Sequence, residues 1–230
     1  MGDKKKKFAV FDIDGTIFRS SLVIELTKEL VDEGLFPKNT HSLYREEFQR
    51  WLDRNGSYED YINKVVDVYK TNIVGVKLKD AMDIAERLMI FHKNRVYRYT
   101  RDLVQKLKNT HFLLAISHSP YHVVEPFCRA WGFQKVYALM YEVDENEVFT
   151  GSVEYEDLIK HKGRVLERAM DVEGLTRVGS VGVGDSESDI AMLKMVSRPI
   201  AFNPNSKLYQ AAKRSHWDIV VERKDVIYKI

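Results

Sequence analysis

Apolar positions in this chain change their period several times, and each change marks an element. Phe8, Ala9, Val10 and Phe11 form a short unbroken apolar run ending at Asp12, the pattern of a strand buried on both faces in a parallel sheet. From about Ser20 to Asn94 the period is helical. Leu22, Val23, Leu26 and Leu30 make a stripe closed by Gly34, and Tyr44, Phe48, Trp51 and Leu52 make another closed by Gly56. A third stripe opens at Ser57 with Asp60 three residues on, a capping-box variant, and carries Tyr61, Ile62, Val65, Val66 and Tyr69. The fourth runs through Leu78, Met82, Ala85 and Met89. Four such helices in succession predict a small bundle, with aromatic and methionine stripes serving mainly as its core.

Beyond that block strands and helices alternate. A helix near Tyr99 to Lys108 leads to the apolar strand Phe112 to Ile116, and a helix from about Pro120 to Trp131 follows. Two short β segments flank the turn Asp144, Glu145, Asn146. A helix starts near Lys162, then the strand Val178 to Val183, a helix from about Glu187 and the short run Ile200 to Phe202. This alternation predicts an α/β fold, a Rossmann-like doubly wound parallel sheet covered on both faces. The core would comprise residues 1–19 and 96–230, with the helical bundle of residues 20–95 inserted as a cap after the first strand.

A length of 230 residues exceeds the usual ~150 per domain, which leaves room for such an insert. Lys plus Arg (36) against Asp plus Glu (34) gives +2, and this near-neutral balance does not support a nucleic-acid binder. The run Lys4, Lys5, Lys6, Lys7 has no aromatic interleaving and reads as a solvated tail. One cysteine, Cys128, excludes an internal disulfide and a four-thiolate zinc cluster, and no apolar run approaches the ~20 residues of a membrane helix. These features predict a cytoplasmic protein that does not bind membranes.

Ligands of doubly wound sheets sit outside the carboxyl ends of the strands, so the polar residues following each predicted strand are the candidates. They are Asp12-Ile13-Asp14-Gly15-Thr16, Ser117-His118-Ser119 and Gly184-Asp185-Ser186-Glu187-Ser188-Asp189. If those ends meet, Asp12, Asp14, Asp185 and Asp189 crowd one crevice, where two like charges 4 Å apart cost ~4 kcal/mol at an effective dielectric of 20. A cation must relieve them. Oxygen ligands with few histidines suit a hard ion, with Mg²⁺ the favoured candidate. Lys162 lies early in its helix, against the macrodipole preference, which makes sense if it faces an anion.

Blander readings exist for the single pieces. Asp14-Gly15 is also a good hairpin turn, although its returning strand would be only Thr16 to Phe18. A calcium loop of EF-hand type fails, because Ile17 and Val23 occupy the sixth and twelfth positions. Gly182-Val183-Gly184 lacks the third glycine of a dinucleotide loop. Ser186 and Asp189 fit a helix N-cap and its third-position acid. Ser119 before Pro120 fits an N-cap with proline at the first helical position, which would leave Ser117 as the free hydroxyl. His118 and His122 have the spacing of zinc ligands, but the helix start at Pro120 separates them.

Taken together, Asp12-Ile13-Asp14-Gly15-Thr16, Ser117 after its strand, Lys162-Gly163 and Gly184-Asp185 followed by Asp189 resemble the four ordered motifs of the haloacid dehalogenase-like phosphohydrolases. The early helical insert, the hairpin-like 136 to 153 and the Lys162-Gly163 helix most resemble the phosphoserine phosphatase-like branch. The resemblance implies a phosphatase acting on a small phosphorylated metabolite, with Asp12 as nucleophile and Asp14 as general acid and base. It implies Mg²⁺ held by Asp12, the main-chain carbonyl of Asp14 and Asp185, with Asp189 supporting from behind. Ser117, the amide of His118, Lys162 and the glycine turn at Gly15 would hold the phosphoryl group. Hinges would lie near Phe18 to Ser20 and Arg95 to Arg98. In phosphoserine phosphatases a glutamate nine residues after the nucleophile reads the substrate amino group. Here that residue is Ser21, and Glu25 lies a helical turn further on, which argues against phosphoserine. Trp51, Tyr58, Tyr61 and Arg50 could offer a pocket, although core packing suits most of the aromatics.

Three other functions compete. A phosphotransferase or mutase would pass the phosphoryl group to a hydroxyl instead of water. A dehalogenase would need neither Asp14 nor a metal. A phospho-signalling receiver would need neither the helical insert nor an acid two residues after the acceptor.

Overall fold

A computed structural model describes residues 5–230 of the chain. Lys4 lies outside them, and the basic run that follows is no tail. Lys6 and Lys7 are exposed but open strand β1 (Lys6–Phe11), opposite Leu175 and Thr176. Helices α1 (Leu22–Asp32), α2 (Arg45–Leu52), α3 (Tyr58–Asn72) and α4 (Leu78–His92) follow, with a 3-10 turn at Thr40–Tyr44 leading into α2. Next come α5 (Arg98–Leu107), β2 (Phe112–Pro120), α6 (Tyr121–Ala130), β3 (Lys135–Val143), β4 (Phe149–Glu154), the single-turn α7 (Glu156–Ile159), α8 (Lys162–Val172) and β5 (Leu175–Gly184). The chain ends with α9 (Ile190–Leu193), β6 (Arg198–Phe202), α10 (Ser206–Ser215), β7 (Asp218–Arg223) and β8 (Val226–Lys229).

Among the described residues the strands form one sheet in the order β4-β3-β2-β1-β5-β6-β7-β8. Strands β3 to β7 pair in parallel, and antiparallel β4 and β8 close the edges. The chain steps from β1 towards one edge and then, from β5, towards the other. The reversal beside β1 is where a doubly wound sheet opens a crevice. Phe8 to Phe11 are fully buried with a neighbouring strand on each side, which explains their unbroken apolar run.

The four expected helices of the insert form, with local differences. Gly34 adopts φ +77° and closes α1, with Leu35 and Phe36 donating to the Leu30 carbonyl. The second stripe closes otherwise: Arg54 takes the left-handed conformation, and Gly56 only lets the chain pass close to Arg50. Ser57 and Asp60 form the predicted capping box. On α4 the buried face is Ala81, Ile84, Ala85, Leu88 and Met89, and Met82 is exposed.

The insert packs onto the sheet layer. Helix α4 lies on α6, and α1 touches both α6 and β2. Backbone bonds from Gly75 to Phe149, Phe149 to Val76 and Leu78 to Glu147 (3.0, 2.9 and 2.8 Å) tie it to the β3–β4 hairpin. The two chain connections run side by side: Arg19 donates to Arg95, Tyr97 donates to Ile17, and Phe18 pairs antiparallel with Val96.

Some boundaries differ from expectation. Strand β2 runs to Pro120, which is extended (φ −60°, ψ 137°) and precedes α6 instead of opening it. The helix expected from Glu187 is a 3-10 turn, Glu187–Asp189, followed by the short α9. No helix among the described residues is long and apolar enough to cross a membrane.

Candidate active site

The three predicted strand ends do meet. Asp12 follows β1, with its N–H donating to Val183 of β5 (2.9 Å), and Asp185 follows β5. Carboxylate oxygens of Asp12, Asp185 and Asp189 lie within 4.8 Å of one another. Lys162, the first residue of α8 and only 3% exposed, donates to Asp12 Oδ1 and Asp189 Oδ1, each at 2.6 Å. Asp189 divides its oxygens: Oδ1 takes the lysine, and Oδ2 caps the turn, as its place three residues after Ser186 predicts, by accepting from the N–H groups of Asp185 and Ser186 at 3.0 Å.

Burial dominates the electrostatics. It pushes the Asp12 carboxyl up to about 7, against the opposing pull of Lys162. Asp185 is raised well above the carboxylate range, first by burial and then by Asp12 and Asp189. Burial works against the Lys162 ammonium too, but Asp12 and Asp189 outweigh it and raise its proton affinity. Lys162 bridges Asp12 and Asp189, and among the described residues Asp185 has no ion-pair partner. An oxygen-only donor set holding one uncompensated carboxylate fits a hard divalent metal ion. Gly15 keeps that carboxylate close: at φ +76° it accepts the tight turn, and a Cβ there would lie 2.1 Å from Asp185 Oδ2. Its own N–H donates to the carbonyls of Phe18 and Ser20, so its part in the site is the space it leaves.

Asp14 faces away from this group. Its Oδ1 accepts from the Leu22 N–H at 2.5 Å, at the start of α1, and its Oδ2 accepts from Ser117 (2.9 Å) and Ser119 (2.7 Å). Burial raises its proton affinity in spite of those three donors. Ser119, expected to cap α6, holds Asp14 instead, because the extra length of β2 carries its hydroxyl into the crevice. Ser117 is likewise not a free hydroxyl: it donates to Asp14 and accepts from the Ser119 N–H. His118 Nε2 lies 3.1 Å from the Ile159 carbonyl, and burial followed by Lys162 holds its imidazole down to about 4. His122 Nε2 faces the Tyr69 hydroxyl (2.8 Å), so these histidines do not share a metal.

Two connected cavities lie over these groups. The smaller, about 90 Å³, is lined by Asp12, Asp14, Ser21, His118, Lys162 and Asp185 and roofed by Tyr58, Glu59 and Ile62 of α3. The larger, about 1130 Å³, is walled by Trp51, Tyr61, Phe48 and Tyr97 and by the cations Arg19, Lys28, Arg95 and Lys207. Tyr58, Glu59, Asp185 and Ser186 belong to both and form the neck between them. Arg50 lies outside these walls. Glu25 also borders the larger cavity, but it accepts from Ser20 (2.7 Å) and Arg95 (3.1 Å) and lies near Lys28.

Sequence reasoning did not find Glu59 or the loop after β6, where Asn205 donates its N–H to the Asp185 carbonyl at 2.8 Å. The second had a visible signal, a polar Asn203-Pro204-Asn205-Ser206 turn directly after an apolar strand. The first had none, since Glu59 reads as an ordinary first-turn acid.

Comparison with known proteins bears on this geometry. A family model described as haloacid dehalogenase-like hydrolase matches residues 9–194. The phosphoserine phosphatase of Methanocaldococcus jannaschii is 26% identical over 97% of this chain and 96% of that protein. The histidinol-phosphatase of Neisseria meningitidis serogroup C is 23% identical over 94% of this chain and 98% of that protein. A crystal structure of a protein of unknown function from Bordetella pertussis Tohama I superposes with a TM-score of 0.74 at 20% identity, covering 94% of this chain and 98% of its own.

Proposed function

The chain belongs to the haloacid dehalogenase-like hydrolases, and on that premise we propose that it is a Mg²⁺-dependent phosphatase cleaving a small phosphomonoester through an aspartyl-phosphate on Asp12. The observation that carries this reading is the separation of the two acids. Asp12 sits against Lys162 beside Asp185 and Asp189, whereas Asp14 is held apart by two serines and a backbone N–H. The names of the two full-length relatives, a phosphoserine phosphatase and a histidinol-phosphatase, support the reaction class.

Asp12 attacks phosphorus, forming a bond from its carboxylate oxygen as the bond to the ester oxygen breaks. Asp14 protonates that leaving oxygen; the proton affinity that burial gives it suits a general acid. Asp14 then takes a proton from the water that attacks the aspartyl phosphate, which frees Asp12 and inorganic phosphate. The Lys162 ammonium has three donors and uses two on Asp12 and Asp189, so the third is available to a phosphoryl oxygen. The His118 amide takes another, and the Ser117 hydroxyl can turn from Asp14 to a third while Asp14 carries its proton. Mg²⁺ would be held by Asp12, Asp185 and the Asp14 carbonyl, with Asp189 behind; when bound it neutralises charge on the phosphoryl oxygens. The helices of residues 20–95 act as a cap over the crevice, and the paired connections at Phe18 and Val96 are its hinge.

Purified protein should release phosphate from p-nitrophenyl phosphate, stop with EDTA and recover with excess Mg²⁺. Release unaffected by chelation would remove the metal from the reaction. Turnover in ¹⁸O water should label the product phosphate, whereas unlabelled product dependent on an added alcohol would make the enzyme a transferase.

A further inference from the structure

The two ends of the sheet carry opposite charge. The crevice at the carboxyl ends gathers Asp12, Asp14, Asp185 and Asp189. At the other end, where the parallel strands begin, stand Lys5, Lys6 and Lys7 at the start of β1, Lys108 before β2, Arg177 of β5 and Lys194 before β6, all exposed. The acids in the segments that enter these strands are already engaged, Glu173 with Lys135 (3.7 Å) and Asp218 with Arg198 (2.9 Å). Asp171, in the last turn of α8, tempers the field but makes no ion pair among the described residues. The +2 of the whole chain thus conceals a division of charge between two ends.

Strand β5 leaves its ladder in the middle of this basic face. Thr176 pairs with Lys7 and Val181 with Ala9, so the four residues Arg177 to Ser180 stand against Phe8 alone and bulge outwards. Val178 is 73% exposed on that bulge. The bulge is held firmly: Ser197 Oγ donates to the Arg177 carbonyl and accepts from the Gly179 N–H (3.2 Å), while Ser180 Oγ donates to the same carbonyl (2.6 Å) and accepts from the Ser197 N–H (3.0 Å). His111 Nε2 lies 3.0 Å from the Gly179 carbonyl, and the Lys7 stem runs beside Gly179, which takes φ +73°. A valine fixed outwards in this way adds nothing to the core. Its side chain can be buried only against a surface outside the molecule.

We propose that this face docks the protein on an anionic lipid bilayer, with Val178 entering the headgroup layer and the lysines and Arg177 lying over lipid phosphates. Both features are needed to choose that partner. A nucleic acid offers the phosphates but no apolar layer for Val178, and an apolar protein pocket has no use for six cations. Docking of this kind is reversible, since it rests on surface charge and one small apolar residue. The acids of the crevice are repelled by the same lipids, which turns the reaction site towards water.

Sedimentation of the full chain with vesicles of phosphatidylcholine and about one third phosphatidylserine tests this. The protein should pellet at about 0.1 M salt, be largely released at about 0.5 M, and stay in solution with phosphatidylcholine alone. Lys5→Gln, Lys7→Gln and Arg177→Gln together should lower the partition coefficient by about 100-fold, roughly fivefold for each charge near the surface. Val178→Ser should lower it by about fivefold. Both variants should melt as the wild type does; if the triple variant melts early, Val178→Ser and the lipid and salt dependence of the wild type decide. Failure to bind the anionic vesicles, equal binding to neutral ones, or binding that withstands Val178→Ser overturns the proposal. In the last case equal affinity for a short DNA duplex would assign the face to nucleic acid.

Discussion

The crevice at the strand ends and the face of the insert above it are built differently. In the crevice every acid but Asp185 is anchored by main chain or by a buried charge: Asp189 by two backbone N–H groups and Lys162, Asp14 by Leu22 and two serines, Asp12 by Lys162. Across the neck, Tyr58, Glu59, Trp51 and Arg54 are half-buried or exposed and hang from α3, from the end of α2 and from the short turn between them. Interlocked buried charges cannot move independently, because removing one partner of a buried pair costs roughly 3–5 kcal/mol. Half-exposed side chains can be exchanged at little structural cost. The crevice is suited to one unvarying reaction, and the insert face to a choice of leaving group.

The hardest test of this contrast is Asp12→Asn. It keeps the shape and one acceptor for Lys162, so the protein should melt as a folded domain while kcat on p-nitrophenyl phosphate drops by about 10⁴-fold or more. Appreciable activity would show that the crevice tolerates exchange after all. Asp14→Asn should cost about 10² to 10⁴-fold. That loss should be greater for propyl phosphate than for p-nitrophenyl phosphate, whose leaving group departs without a proton. Equal losses on the two esters would take the general-acid role from Asp14.

On the other side of the neck, Trp51→Ala removes one ring from the aromatic group. Aromatic pairs contribute ~1 kcal/mol, so KM should rise by about fivefold with kcat little changed. A fall in kcat with KM unchanged would show that this wall acts on the chemical step, and the division of labour would be wrong.

The same contrast separates what the sequence disclosed from what it withheld. Asp12 and Asp185 were legible because strand ends converge by topology, and a short apolar run followed by an acid marks such an end; Lys162 was legible from its place at a helix start, against the dipole preference. Asp189 was legible as the third-position acid of a cap, which it is, while the Lys162 contact on its other oxygen was not foreseen. Ser119 misled, because a serine before proline usually caps a helix, and only the added length of β2 turns it towards Asp14. Gly56 misled similarly, since the turn closes through Arg54. Helix α10 and strands β7 and β8 lie beyond the last pattern that the periodicity resolved. Glu59 could not be read at all, because whether a first-turn acid faces solvent or a cavity depends on how α3 settles over the sheet.

The smallest expected effect concerns the contact that helps settle it. Tyr69 of α3 is buried against His122 of α6, with Phe149 and Tyr141 packed around them. Burial holds the His122 imidazole down to about 4 from an ordinary 6.5. Between those values the unfolded chain binds a proton that the folded protein refuses, so stability rises with pH across the window. The contribution is complete above pH 6.5 and is lost as the pH falls towards 4. His118 follows the same sign for the same reason. Replacing His122 alone should therefore flatten the pH dependence by no more than ~1 kcal/mol per pH unit and leave the part due to His118. Urea unfolding of wild type and His122→Gln at pH 7, 6 and 5 measures the difference in slope. Parallel slopes would mean that His122 accepts its proton in the folded state, and that the contact between insert and sheet is looser than its packing implies.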